Sequence, residues 1–276
     1  MIVIGERLNA TRPAVARWIA GRDRDGLVGE ARRQREAGAD YLDVNAGTGC
    51  AGEPEALAWM VRSIQEEMDV PLCLDSPDPR AMEAALRAHR GKALVNSVSL
   101  ERARFDPVVD LVLEHGAAVV ALCLDDDGLP RDASETVAKG RRLVGRLLEA
   151  GVPAEDVYVD PLVRPIGTDP SAGTAVVEAV RRIRDEFPGV HVLCGLSNIS
   201  FGLPRRTLLN QALLVAAMAA GLDAVILDPL DRELMALLAA AEAVLGRDRR
   251  GLGYVRAYRQ GLLGGSTGTG RTHRAT

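Results

Sequence analysis

Glu36-Ala37-Gly38-Ala39-Asp40-Tyr41-Leu42-Asp43-Val44-Asn45 is the stretch that decides the fold. A helical pattern ends at Ala37, a glycine turns the chain, and an apolar run closes on a carboxylate and an amide. Glycine suits the position just past a helix end, where φ turns positive. The same grammar returns in Glu114-His115-Gly116-Ala117-Ala118-Val119-Val120, in Leu148-Glu149-Ala150-Gly151-Val152, and in Ala219-Ala220-Gly221-Leu222-Asp223-Ala224-Val225-Ile226-Leu227. Strands are predicted at Ile2–Gly5, Ala39–Val44, Pro71–Asp75, Lys92–Asn96, Ala117–Leu124, Val157–Asp160, Val190–Gly195 and Ala224–Leu227. These runs are near-continuous rather than alternating, as parallel strands covered on both faces require. Helical patterns separate them at Gly26–Ala37, Glu53–Met68, Pro79–His89, Pro107–Glu114, Ser134–Ala150, Ala175–Phe187 and Thr207–Ala220, and Asp231–Leu245 follows the last. Eight such units predict an α/β chain closed into a (β/α)8 barrel, the TIM barrel. A doubly wound sheet shares the grammar, but no G-x-G-x-x-G follows the first run.

Length and composition agree. The 276 residues match one barrel domain, assigned to residues 1–263. Aromatics make up only 3% of the chain, so Ala, Val, Leu and Ile fill the interior. A net charge of −4 argues against a nucleic-acid surface. Cys50, Cys73, Cys123 and Cys194 are widely spaced without a C-x-x-C, which predicts reduced thiols in a cytoplasmic protein; a zinc site at Cys73, Cys123 and Cys194 is the lesser alternative. Met1-Ile2-Val3-Ile4 begins directly with a strand, so no leader peptide is expected, and the most apolar stretch, Ala212 to Leu222, is too short to span a bilayer. Residues 264–276 read as a disordered tail. Within it Gly265-Ser266-Thr267-Gly268-Thr269-Gly270-Arg271-Thr272 is one substitution from a phosphate-binding loop, but Arg replaces Lys and neither strand nor helix flanks it.

Each apolar run ends in a polar group: Gly5-Glu6-Arg7-Leu8-Asn9, Asp43-Val44-Asn45, Leu74-Asp75, Val95-Asn96-Ser97, Leu124-Asp125, Asp160-Pro161, Ser197-Asn198 and Leu227-Asp228. In a barrel these endings form the C-terminal rim, where sites are built. Asp75, Asn96 and Asp160, each read as the last residue of its strand, occupy one level of the mouth. Two carboxylates and an amide suit a flat heterocycle with a guanidine-like edge, since a carboxylate accepts two parallel N–H bonds and an amide both donates and accepts. A rim Asp also serves as a helix N-cap; in Asp75-Ser76-Pro77-Asp78-Pro79 the better cap is Asp78.

Gly195-Leu196-Ser197-Asn198-Ile199-Ser200-Phe201-Gly202-Leu203-Pro204-Arg205-Arg206 is the most specific stretch. With the endings at Glu6–Asn9, Leu42–Asn45, Leu74–Ser76, Asn96–Ser97 and Asp160–Leu162, it resembles the pterin-binding methyltetrahydrofolate:corrinoid methyltransferases. That family includes methyltetrahydrofolate:corrinoid/iron–sulfur protein methyltransferase and the folate domain of cobalamin-dependent methionine synthase. The resemblance runs in order from Met1 to about Leu263. It implies 5-methyltetrahydrofolate as substrate, its pterin held by Asp75, Asn96 and Asp160. It places Asn198 near N5, the methylated nitrogen, and Gly195, Ser197 and Arg206 along the same pocket. Phe201 resembles the methionine synthase form of the loop; the corrinoid/iron–sulfur enzyme has a polar residue there. Glu6, Asn9, Asp43 and Asn45 match motif positions that are structural first and ligand-facing second.

The implied chemistry has a physical demand. A methyl group on a tertiary amine leaves only when N5 is protonated or receives a hydrogen bond as charge develops. Asn198 does not ionise, yet it donates a bond that strengthens in the transition state. The proton then comes from water or from a network including Asp43, Asp75 or Asp160, so Asn198, Asp75 and Asp160 are the catalytic candidates. None of His89, His115, His191 and His273 lies in a D-x-H-x-x-G cobalamin motif, so the corrinoid (cobalamin) is expected on a separate protein docking at the mouth. No metal is expected, and a homodimer is implied by the resemblance. The nearest rival is dihydropteroate synthase, which needs a catalytic Lys after the seventh strand and an N-V-T-P-D-S-F first loop; neither is present. Two further rivals are a folate-binding subunit without turnover and an unrelated barrel using rim Asp residues for Mg²⁺.

Overall fold

The computed structural model describes residues 1–47 and 52–263. Cys50 and the tail, with its loop-like glycine motif, lie outside them. Eight parallel strands close in sequence order, β1-β2-β3-β4-β5-β6-β7-β8. They are β1 Ile2–Asn9, β2 Tyr41–Asn45, β3 Leu72–Asp75, β4 Leu94–Val98, β5 Ala118–Leu122, β6 Val157–Asp160, β7 His191–Gly195 and β8 Ala224–Leu227. Each was expected, with ends shifted by a few residues.

The helices between them are α1 Pro13–Gly21, α2 Arg24–Glu36, α3 Glu53–Gln65, α4 Pro79–Ala88, α5 Phe105–His115, α6 Ala133–Glu149, α7 Ala172–Glu186 and α8 Arg206–Ala220. α1 was not expected from the sequence: it buries only Val15, so its apolar stripe is thin. The chain divides into two compact units, the first ending at Pro229 and the second beginning at Leu230. The second contains α9 Arg232–Val244, capped by Asp231, and α10 Leu252–Arg259, also unexpected and without a buried residue. No helix among the described residues is long and apolar enough to cross a membrane.

Ile4, Cys73, Leu94, Val120, Tyr158, Leu193 and Ala224 pack together as the core of the first unit. Small residues at Ala118 and Ala224 offset the bulk of Tyr158, so the cylinder is filled rather than open. Cys73, Cys123 and Cys194 are buried free thiols, and burial pushes all three upward in pKa.

Two register shifts position the rim. Between Gly5 and Leu8 β1 carries an extra residue against β2, and between Asn96 and Val98 β4 does so against β5. Such bulges re-aim side chains at strand ends. At the first, Gln34 of α2 accepts the Arg7 N–H through Oε1 at 3.1 Å. A Cβ on Gly5 would collide with that same oxygen, which explains the glycine. Arg7 then turns away to Glu30 and to Asp228, 2.6 Å away, and Glu6 is left facing the mouth.

Candidate active site

A cavity of about 710 Å³ opens at the C-terminal ends of the strands. Glu6 and Asn9 of β1, Asp43 of β2, Asp75 of β3, Asn96 of β4, Asp160 of β6 and Gly195 of β7 line it. Ser197 and Asn198 enter from the 3₁₀ turn Leu196–Ser200, and Arg206 from the start of α8. The fold thus gathers candidates that are up to about 200 positions apart in sequence around one space. Asn45 is the exception. It lies behind the wall, where Nδ2 donates to Asp75 Oδ2 at 2.9 Å and Oδ1 accepts the Gly47 N–H at 2.8 Å.

One expectation about level is corrected. Asp75 and Asp160 end their strands, but Asn96 does not: β4 continues through the bulge to Val98. Asn96 still pairs in register with Asp75, so bulging, not strand termination, brings its amide to the same height. Asp78, not Asp75, caps α4 by accepting the Arg80 N–H. Ser76 turns away to donate to Glu53.

The carboxylates are held in low dielectric. Asp43, only 4% exposed, is pushed well up by burial and then by the neighbouring Asp75, and it accepts Asn96 Nδ2 at 3.3 Å. Burial also raises Asp75, opposed by the Asn45 hydrogen bond and by the Arg104 guanidinium. Asp160 rises to about 6 through burial, moderated by the Leu162 N–H at 2.8 Å. Glu6 is raised by burial and accepts Ser197 Oγ at 3.0 Å. A buried carboxylate short of donors is primed for a ligand that brings N–H groups.

Asn198 brings a side-chain amide to the same cavity. Its carboxamide makes no side-chain hydrogen bond among the described residues, and Phe201 N donates to its backbone oxygen at 3.2 Å. A Cβ on Gly195 would stand 3.1 Å from Asn198 Nδ2, so the glycine leaves that amide room. Arg206 locks the turn through Nη2 to Ser197 O at 2.6 Å and Nε to Ser200 Oγ at 3.0 Å. Asn9 has a local task, accepting the Thr11 N–H and hydroxyl.

Thr11, Arg12, Ser97, Leu122, Phe201 and Ile226 also line the cavity without having been singled out as site residues. Phe201 is 69% exposed at the mouth. Arg104, outside every motif, reaches back to donate to Ser97 O at 3.0 Å. No sequence signal marked it, because its partner lies across a loop. Among the described residues no cluster of three or more His, Cys, Asp or Glu is placed to hold a metal. None of the described histidines lines the cavity. The two lysines of the chain, Lys92 and Lys139, are paired elsewhere with Asp156 and Asp125.

The chain matches the pterin binding enzyme family over residues 5–228. It is 36% identical over 266 residues to the methylcorrinoid:tetrahydrofolate methyltransferase of Eubacterium limosum, covering 96% of this chain and 98% of that protein. It is 32% identical over 242 residues to the methionine synthase of Mycobacterium leprae, covering 82% of this chain but 20% of that longer protein. Among solved structures, the dihydropteroate synthase of Xanthomonas albilineans aligns with a TM-score of 0.69 over 90% of this chain and 93% of that one, at 20% identity, a likeness of fold. That of Thermus thermophilus gives 0.65 at 25% identity over 87% and 93%.

Proposed function

The chain belongs to the pterin binding enzyme family, and from that premise we propose that it moves a methyl group between N5 of tetrahydrofolate and the corrinoid of a separate protein. The observation that carries this reading is the joint placement of Asp75, Asn96, Asp160 and Asn198 around one cavity, in a chain that aligns almost end to end with a methylcorrinoid:tetrahydrofolate methyltransferase. The relative's name runs from methylcorrinoid to tetrahydrofolate. One pocket serves both directions, because they share a transition state.

Asp75 and Asp160 accept the amino and ring N–H groups of the pterin, and Asn96 complements its carbonyl edge. Binding replaces missing solvent with fixed donors, which compensates the burial of both carboxylates. Asn45 and Arg104 oppose the burial that raises Asp75 and so favour its ionised, accepting form. Asn198, whose carboxamide has no hydrogen-bond partner among the described residues and is given room by Gly195, donates toward N5 as the C–N bond lengthens; a donor aimed where charge develops acts mainly on the transition state. The corrinoid, when bound, supplies a cobalt centre that takes or gives the methyl group.

Dihydropteroate synthase shares the barrel but needs a lysine at the site, and both lysines here are engaged elsewhere. The corrinoid protein docks over the mouth, beside exposed Phe201. A homodimer and a cytoplasmic setting complete the proposal; buried, unpaired thiols support the latter. The test is stopped-flow mixing of the protein with Co(I) cobalamin and methyltetrahydrofolate. Methylcobalamin absorbance is the expected result. Saturable folate binding without transfer would reduce the chain to a binding subunit, and no pterin binding at all would overturn the reading.

A further inference from the structure

We propose that Glu6, held by the hydroxyl of Ser197, is the acid that hands a proton to N5 as the methyl group leaves. The inference rests on the methyl-transfer reading above and names the proton donor that reading lacks.

Among the described residues, four carboxyl groups line the cavity: Glu6, Asp43, Asp75 and Asp160. They differ in what donates to them. Asp75 takes the amide of Asn45, Asp160 the backbone N–H of Leu162, and Asp43 the amide of Asn96 with the Cys73 thiol behind it. An amide N–H only donates, so it favours the ionised carboxylate and cannot accept a proton back. Glu6 takes an oxygen partner, Ser197 Oγ at 3.0 Å. A hydroxyl rotates: it donates to a carboxylate and accepts from a carboxylic acid. Glu6 is therefore the one of the four whose amphoteric O–H partner suits both states of a proton-transfer cycle.

Position supports the same assignment. Asp75 and Asp160 are committed to the pterin edge, and Asp43 is engaged with Asn96. Glu6 is delivered to the cavity by the β1 bulge, and its Oε1 has no partner among the described residues. Its anchor, Ser197, immediately precedes Asn198 on the turn that Arg206 locks. Four charged groups share the mouth with Glu6: Asp228 beyond β8 favours its protonated form, Arg12 from the β1–α1 loop and Arg206 from α8 oppose it, and Asp43 of β2 is itself raised by Glu6. Burial outweighs these influences and pushes Glu6 up, so a proton is retained closer to neutrality than on an exposed glutamate.

The step balances. The N5–C bond breaks with its electron pair on N5, and the Glu6 O–H breaks as an N5–H bond forms. The methyl carbon bonds to cobalt through the cobalt's own electron pair, and the Glu6 carboxylate regains a proton from solvent. In the opposite direction the carboxylate removes the N5 proton.

The experiment follows single-turnover transfer from methyltetrahydrofolate to Co(I) cobalamin at saturating folate, with folate affinity measured in parallel. Wild type should be faster on the acid side. Glu6→Gln should lose roughly 10²-fold in rate, flatten that pH dependence, and change folate affinity far less. Ser197→Ala should move the midpoint of the pH profile, and Ser197→Thr should restore it. An infrared titration supplies a readout independent of turnover: a protonated-carboxyl band that Glu6→Gln removes. A Glu6→Gln protein with the rate and pH profile of wild type overturns the proposal and leaves the methyl-transfer reading intact. Should Glu6→Gln fail to fold or to bind folate, an unaltered profile in Ser197→Ala overturns it equally. A wild type that neither binds folate nor transfers methyl overturns both.

Discussion

Asn45 Nδ2 lies 2.9 Å from Asp75 Oδ2, across the seam between β2 and β3. In the proposed complex the pairing makes Asn45, which does not line the cavity, a determinant of how well Asp75 accepts from the ligand. Replacing it with leucine removes the donor that opposes desolvation, so Asp75 moves further up. Methyltetrahydrofolate affinity should weaken by about tenfold, the equivalent of one lost hydrogen bond to a charged group. Titration calorimetry on Asn45→Leu checks this, with thermal unfolding to confirm the fold.

The role proposed for Asn198 separates binding from chemistry. Removal of one transition-state donor typically costs roughly 10²–10³ in rate. Asn198→Ala should lower single-turnover transfer by that factor while folate affinity falls much less. If the rate is intact and only affinity drops, the assigned role of Asn198 is wrong.

The pterin contact proposed for Asp160 predicts a pH dependence of binding. Burial raises its carboxyl to about 6, and in the proposed complex the ligand's N–H groups require the ionised form. Below that value binding must displace a proton, so affinity should fall by up to about tenfold per pH unit. The stability of the free protein runs the opposite way. A pKa raised on folding contributes stability below the unfolded value, and that contribution is lost as pH rises through 6. Asp160→Asn should abolish the part of both profiles centred there. Dissociation constants and melting temperatures across the range provide the check.

Lys139 is a stability residue away from the cavity. It is 4% exposed and donates to Asp125 Oδ1 at 2.6 Å and to Gly128 O at 2.7 Å, closing the loop after β5. Lys139→Met leaves Asp125 buried with the Asp127 N–H at 3.1 Å and, as its remaining cation, Arg142 at 3.5 Å. Chemical denaturation should show a loss of about 3 kcal/mol. A change under about 1 kcal/mol would mean that the loop resolvates Asp125 freely.

The amino-acid sequence by itself determined the barrel, because the period of the pattern is a local property. A helix end, a glycine and an apolar run recur along the chain, and each unit is decided by its own few residues. It also marked the rim residues, since strand ends project them to one face. Asn96 and Glu6 were decided differently. Asn96 reaches the level of Asp75 through a bulge, and Glu6 faces the mouth because Gln34 of α2 fills the space above Gly5 and satisfies the Arg7 N–H. The support of Asp75 by Asn45 and Arg104 likewise depends on neighbours brought together by closure of the sheet. Which partner a polar side chain meets, and so how strongly it holds a proton, is fixed by burial and contact. Those are properties of the closed cylinder, and no short window of residues contains them.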